Sequence, residues 1–227
     1  MEKQFFEILS KDSEDYYKIK DQCRKELVKY LFDALSIISV PKHMQMLDIG
    51  CGTGVPTLAL ASCYMGDIKA IDTNVNSLSY FKKKISENDY SNRIKPINAS
   101  FFELPDDETY DLVLVEGVLN VVGFEKGISK VVKLTRTNGH LIIHDENKKL
   151  PEKMKIIEEE GLKLLKTILL DHNIWWNNYY KSLDAQISKI KNKYLRNLFR
   201  PDLKEIEFYR ENPTSVSSIY FVLVREI

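Results

Sequence analysis

The chain has 227 residues and carries 33 Lys+Arg against 33 Asp+Glu, a balance that argues against a dedicated nucleic-acid-binding protein. With 44% hydrophobic and 29% charged residues it is too apolar for disorder and suits one buried core with decoration. No apolar run approaches the ~18 residues of a membrane span, the start lacks a signal-peptide pattern, and Cys23, Cys51 and Cys63 lack a pairing pattern, so a soluble cytoplasmic protein with reduced thiols is expected.

Residues 1–40 are charged and amphipathic, with Cys23, Leu27, Tyr30, Leu31 and Ala34 at three- and four-residue steps, which predicts a helical segment ending near Pro41. Short apolar runs then predict strands at 44–49, 67–71, 93–97, 110–116 and 140–145. Segments of helical spacing separate them, around 56–64, 75–88 and 125–135. Such alternation builds a parallel sheet with helices on both faces. A helix over 151–160 stops at Gly161 and leads into a strand at 164–170. From Trp175 the pattern is helical again, with Trp176, Tyr180, Leu183, Ile187, Ile190, Tyr194 and Leu198 in one stripe. A further helix starts after Pro201, and the β-rich run 217–224 reads as a closing antiparallel strand.

The densest local signal is Leu47-Asp48-Ile49-Gly50-Cys51-Gly52-Thr53-Gly54-Val55-Pro56. An apolar strand enters Gly-x-Gly-x-Gly, followed by a proline suited to the first turn of a helix. Residues without a Cβ let the backbone turn sharply and let a ligand approach it, and free amides at a helix start favour an anionic group. A turn with no ligand needs fewer glycines. A dinucleotide fingerprint would place its third glycine one position later, so a nicotinamide oxidoreductase is disfavoured. The next strand ends at Asp72-Thr73, where a carboxylate can accept both hydroxyls of a ribose; capping the following helix is the alternative role for Asp72.

The glycine spacing, with Asp48 two residues before Gly50, resembles motif I of the class I S-adenosylmethionine-dependent methyltransferases. Residues 98–105, Asn-Ala-Ser-Phe-Phe-Glu-Leu-Pro, resemble that family's segment after the third strand, with Ser100 where an Asp often receives the adenine amino group. Residues 106–113 resemble the acidic turn into the fourth strand, and Glu116-Gly117-Val118-Leu119-Asn120 the motif at its end. Residues 134–141 resemble the turn into the fifth strand, with Asn138 in place of a usual glycine. Residues 171–180, Leu183 and 205–210 are similar to a prokaryotic small-molecule-type group that inserts helices over the active-site mouth.

The resemblance implies an α/β, Rossmann-like, doubly wound seven-stranded sheet, mostly parallel with an antiparallel last strand, carrying a helical cap. It makes 1–227 a single methyltransferase domain, with an N-terminal cap (1–40), a cofactor-binding core (44–170), a helical insertion over the active site (171–212) and the closing strand (213–227). It further implies S-adenosylmethionine as cofactor, S-adenosylhomocysteine as product, and no metal. Asp48, Gly50, Cys51, Gly52 and Gly54 would shape the methionine end and Asp72 would bind ribose. Thr73, Ser100 and Phe101 would surround adenine, with Glu116 and Gly117 beside the sulfonium. The expected activity is methyl transfer to a small-molecule acceptor, mainly by proximity and orientation.

A general base is optional in such chemistry. His144 ends the fifth strand on the ligand-binding edge, although strand alternation can leave it a hydrogen-bonded structural histidine. Tyr16 and Tyr179 are further catalytic candidates, and Trp175, Tyr179 and Tyr17 candidates for an aromatic wall of the substrate pocket. Trp175/Tyr179 and Trp176/Tyr180 pair at four-residue spacing on a helix, where ordinary packing is the competing role. Residues 181–204 hold Lys181, Lys189, Lys191, Lys193, Arg196, Arg200 and Lys204 against Asp184 and Asp202, a solvated face or a contact for RNA. The Asn-Pro-Pro-aromatic motif of many amino-directed nucleic-acid methyltransferases is absent at 116–119, which favours a small-molecule partner and disfavours nucleic acid. RNA or protein methylation and a non-catalytic S-adenosylmethionine-binding module are the alternatives. The sequence favours no membrane partner and leaves the acceptor atom and oligomeric state open.

Overall fold

The computed structural model describes residues 2–41 and 43–226. Its strands are β1 (His43–Ile49), β2 (Met65–Asp72), β3 (Ile94–Asn98), β4 (Tyr110–Glu116), β5 (Thr135–Glu146), β6 (Leu162–Leu170) and β7 (Ser218–Arg225). Among the described residues they form one sheet in the order β3-β2-β1-β4-β5-β7-β6. The pairs β1/β2, β1/β4, β2/β3 and β4/β5 are parallel, and β5/β7 is antiparallel. The expected doubly wound α/β sheet with an antiparallel last strand is therefore present. β7 returns from a helical excursion and enters between β5 and β6.

The helices are α1 (Glu2–Arg24), α2 (Val28–Leu35), α3 (Val55–Cys63), α4 (Val75–Glu87), α5 (Leu119–Val122), α6 (Phe124–Leu134), α7 (Leu150–Glu159), α8 (His172–Trp175), α9 (Lys181–Ser188), α10 (Lys193–Leu198) and α11 (Arg200–Glu211). β4 is apolar from Leu112 to Val115, and all four residues are buried, as a strand covered on both faces must be. One face packs Val113, Val115, Leu141, Ile143 and Phe221 against Ile128 and Val131 of α6. Each such side chain stabilises the fold by about 1.5–3 kcal/mol relative to exposure.

The chain divides into two compact units, one of residues 28–169 with 218–227, the other of residues 1–27 with 170–217. The first holds α2 to α7 and nearly all of the sheet. The second is helical, with a core of Cys23, Tyr180, Leu183, Ile187, Leu195, Phe199, Ile206 and Tyr209. No helix among the described residues is long and apolar enough to cross a membrane.

The apolar stripe expected from Trp176 to Leu198 does not run unbroken. Its middle part holds, with Tyr180, Leu183 and Ile187 buried, but the chain leaves helix after Ser188. The Asn192 side chain then accepts hydrogen bonds from the amides of Tyr194 and Leu195 and starts α10 in a new phase. Leu195 and Phe199 consequently turn inward, while Tyr194 is 59% and Leu198 40% exposed.

Candidate functional site

The turn after β1 is built by backbone conformation. Gly50 and Gly54 sit at φ +74° and +79°, and the Gly50 amide donates to the Ile71 carbonyl at 2.8 Å. A Cβ at Gly54 would lie 2.0 Å from the Phe81 ring, and one at Gly50 would lie 2.2 Å from Val118 Cγ2. Both positions thus exclude a side chain on conformation and on space. Behind the turn the buried Asp48 carboxylate accepts a 2.5 Å hydrogen bond from Thr57 Oγ1, tying β1 to α3. Cys51 is buried as well. Burial pushes its thiol well above the usual range, and the nearby Asp48 and Asp72 carboxylates add to the effect, so no thiolate nucleophile arises there.

Asp72, at the end of β2, accepts from the Gly52 amide through Oδ2 and from the Asn74 amide through Oδ1, each at 2.7 Å. The cap of α4 is Asn74, whose Oδ1 accepts from Asn76 and Ser77, so the capping role weighed for Asp72 belongs to its neighbour. Ser100 begins a short 3-10 turn. Its Oγ accepts from the Phe102 amide at 3.3 Å while Glu103 Oε2 accepts from the Ser100 amide at 3.2 Å, a reciprocal capping box.

Glu116 closes β4 and is 9% exposed; its Oε1 accepts from the Tyr220 hydroxyl at 2.8 Å. The Tyr220 ring stacks on His144 with centroids 4.0 Å apart and planes 6° from parallel, and His144 Nε2 meets Ser218 Oγ at 2.7 Å. Glu116 pairs in register with His144, and His144 with Tyr220, so the three form a row across β4, β5 and β7.

A cleft of about 280 Å³ opens along this strand edge, lined by Ile49, Gly50, Ile71, Asp72, Thr73, Ala99, Ser100, Phe101, Phe102, Glu116, Gly117, Val118, Val121 and Val122. Seven residues singled out from sequence line it together: Gly50, Asp72, Thr73, Ser100, Phe101, Glu116 and Gly117. Asp48, Cys51, Gly52, Gly54 and His144 are outside the lining. Tyr220, which holds Glu116, was not among the sequence candidates, because its strand reads only as an apolar closing run. The lining fits an adenosine-type ligand that also bears positive charge: two carboxylates that accept hydrogen bonds, two hydroxyls and an apolar floor.

The remaining candidates lie in the helical unit. The Tyr16 hydroxyl donates to Asp202 Oδ2 and accepts from Lys20 Nζ, each at 3.2 Å, and Lys20 pairs with Asp202 at 2.7 Å. Tyr17 packs edge-on against Tyr16 with centroids 5.3 Å apart. A π-helical turn over Trp176–Tyr180 brings Trp175 to 6.0 Å from Tyr179 and 5.9 Å from Tyr180. Trp176 instead stacks on Tyr209 at 5.5 Å, so the four-residue pairing expected of Trp176 and Tyr180 gives way to the wider turn. Burial pushes the Tyr179 phenol up to about 12, against the opposing charge of Lys20.

This sheet order, with a glycine turn after the first strand and a carboxylate after the second, defines the class I S-adenosylmethionine-dependent methyltransferases. A methyltransferase-domain model matches residues 41–186, and the chain belongs to that family, whose cofactor is S-adenosylmethionine. The demethylmenaquinone methyltransferase of Bacillus licheniformis is 31% identical over an alignment of 138 positions that covers 57% of this chain and 58% of that protein. The chain thus spans less than two thirds of that relative's length. Among solved structures, a methyltransferase from Geobacter sulfurreducens with S-adenosylhomocysteine is similar at TM-score 0.68 and 16% identity, over 88% of this chain and 90% of that one. The cyclopropane synthase MmaA2 from Mycobacterium tuberculosis is similar at TM-score 0.72 and 14% identity, over 87% and 83%. These two likenesses concern the fold.

Proposed function

We propose that this protein transfers a methyl group from S-adenosylmethionine to a small-molecule acceptor in the cytoplasm, mainly by positioning. The observation that carries this reading is a single cleft lined by the Gly50 turn, Asp72 and Glu116, at the ends of three neighbouring strands. When bound, S-adenosylmethionine supplies a sulfonium-activated methyl group. Asp72 would accept the ribose hydroxyls, Thr73, Ser100 and Phe101 would flank the base, and Glu116 and Gly117 would face the sulfonium end. Val118 and Val122 would keep water from the reacting atoms. His144, bonded to Ser218 and stacked on Tyr220, suits a structural role better than that of a base.

A small-molecule acceptor is supported by the similarity to a demethylmenaquinone methyltransferase and by the absence of the Asn-Pro-Pro-aromatic motif. A rise in melting temperature with S-adenosylmethionine or S-adenosylhomocysteine, and none with NAD, is the expected result of a thermal-shift screen. Labelled methyl transfer into a metabolite pool separates catalysis from a binding-only module; no transfer to any fraction would reject the enzyme. RNA methylation is a second reading, favoured by the exposed run Lys189, Lys191, Lys193, Arg196 and Arg200. A salt-sensitive mobility shift with total RNA would support it.

A further inference from the structure

We propose that Glu116, held by Tyr220, is the group through which the cleft distinguishes S-adenosylmethionine from S-adenosylhomocysteine. This inference rests on the reading that the cleft binds the cofactor. The sheet order sets the polarity of the site. Ser100 and Phe101 follow β3, Asp72 ends β2, the Gly50 turn follows β1, and Glu116 ends β4. Adjacent strands are about 4.8 Å apart, so the end of β4 lies about 10 Å across the sheet from the end of β2. With ribose on Asp72 and adenine toward β3, Glu116 falls on the side where the cofactor carries its positive charge.

The surroundings make that carboxylate selective. Glu116 is 9% exposed and shares the cleft wall with Val118, and a charge partly removed from water interacts more strongly with an opposite charge. The Tyr220 hydroxyl, 2.8 Å away, orients the carboxylate as a neutral donor. Tyr220 is itself 2% exposed and clamped against His144, whose Nε2 meets Ser218. The row is a buried positioning device ending in one acid on the cleft. S-adenosylmethionine bears a sulfonium and an α-ammonium, whereas S-adenosylhomocysteine bears only the ammonium. A carboxylate reading the sulfonium therefore binds the substrate form more tightly than the product form and eases product release.

Calorimetric titration of the full chain with each compound tests this for the parent protein, Glu116→Gln and Tyr220→Phe. The parent should prefer S-adenosylmethionine. Glu116→Gln should weaken that compound about tenfold or more and leave S-adenosylhomocysteine within about twofold, as for loss of one charge-assisted contact. Tyr220→Phe keeps the ring on His144 and should lose part of the preference in the same direction. It carries the test if Glu116→Gln fails to fold. Equal weakening of both compounds by either folded variant would assign the pair to the shared ammonium or to general packing and overturn the proposal. Unchanged affinity for both would overturn it as well. A parent protein that binds neither compound would instead overturn the reading of the cleft.

Discussion

The Asp72 carboxylate holds the Gly52 amide at 2.7 Å, and this contact ties the glycine turn after β1 to the end of β2. Its second oxygen accepts from the Asn74 amide, so one side chain organises two loops that border the cleft. Asp72→Ala frees both amides and removes the acid assigned to ribose. S-adenosylmethionine affinity should fall by about a hundredfold and unfolding free energy by about 1–3 kcal/mol. Calorimetric titration beside urea unfolding measures both; unchanged affinity would remove Asp72 from the cofactor site.

Two glycines of the same turn separate steric from conformational cost. A Cβ at Gly54 meets the Phe81 ring at 2.0 Å, while one at Gly52, also at positive φ, meets nothing within 4 Å. Gly52→Ala should cost about 1–2 kcal/mol, the left-handed penalty alone. Gly54→Ala adds a clash with a buried ring and should cost about 3 kcal/mol or more. Equal melting temperatures for the two variants would contradict this account.

Lys153 forms a 2.6 Å ion pair with Asp145, whose side chain is fully buried. Asp145 Oδ1 has no hydrogen-bond partner among the described residues, so the acid depends on this lysine. Lys153→Met strands a buried charge and should destabilise the protein by about 3–5 kcal/mol. Adding Asp145→Leu should restore most of that loss. A denaturation midpoint for the double variant below that of Lys153→Met would refute the pairing argument.

Alkaline pH should act through the helical unit. A tyrosine in the unfolded chain titrates near ~10. Tyr179 in the folded state is pushed up to about 12 by burial, with Lys20 opposing. The folded state then holds its proton more tightly, so this contribution is fully present below about pH 10 and is lost as pH rises toward about 12. Tyr179→Phe should unfold less steeply with pH across that window, measured as melting temperature against pH.

Local signals made much of the fold legible. The continuous apolar run of β4 appears at the bounds expected from sequence, and Asn138, read as replacing a glycine, adopts φ +63°, the conformation glycine supplies in such turns. Asp72 was found because the end of a strand places a carboxylate at the ligand edge. Tyr220 was missed because its partner Glu116 is 104 positions away and a tyrosine in an apolar strand announces packing. The helical stripe beyond Ile187 was misread because periodicity assumes one continuous helix. The π-helical turn and the Asn192 cap each reset the phase, and neither changes composition enough to be seen.

The position of β7 has a bearing on biosynthesis. Flanked by β5 and β6, residues 218–225 occupy an inner place in the sheet although they are synthesised after both neighbours. Until then β5 and β6 each expose an unpaired edge, and the nascent chain needs protection from edge-to-edge association. Glu116 also lacks its Tyr220 clamp at that stage, so the cleft is completed only when β7, made after the other strands of the sheet, is in place.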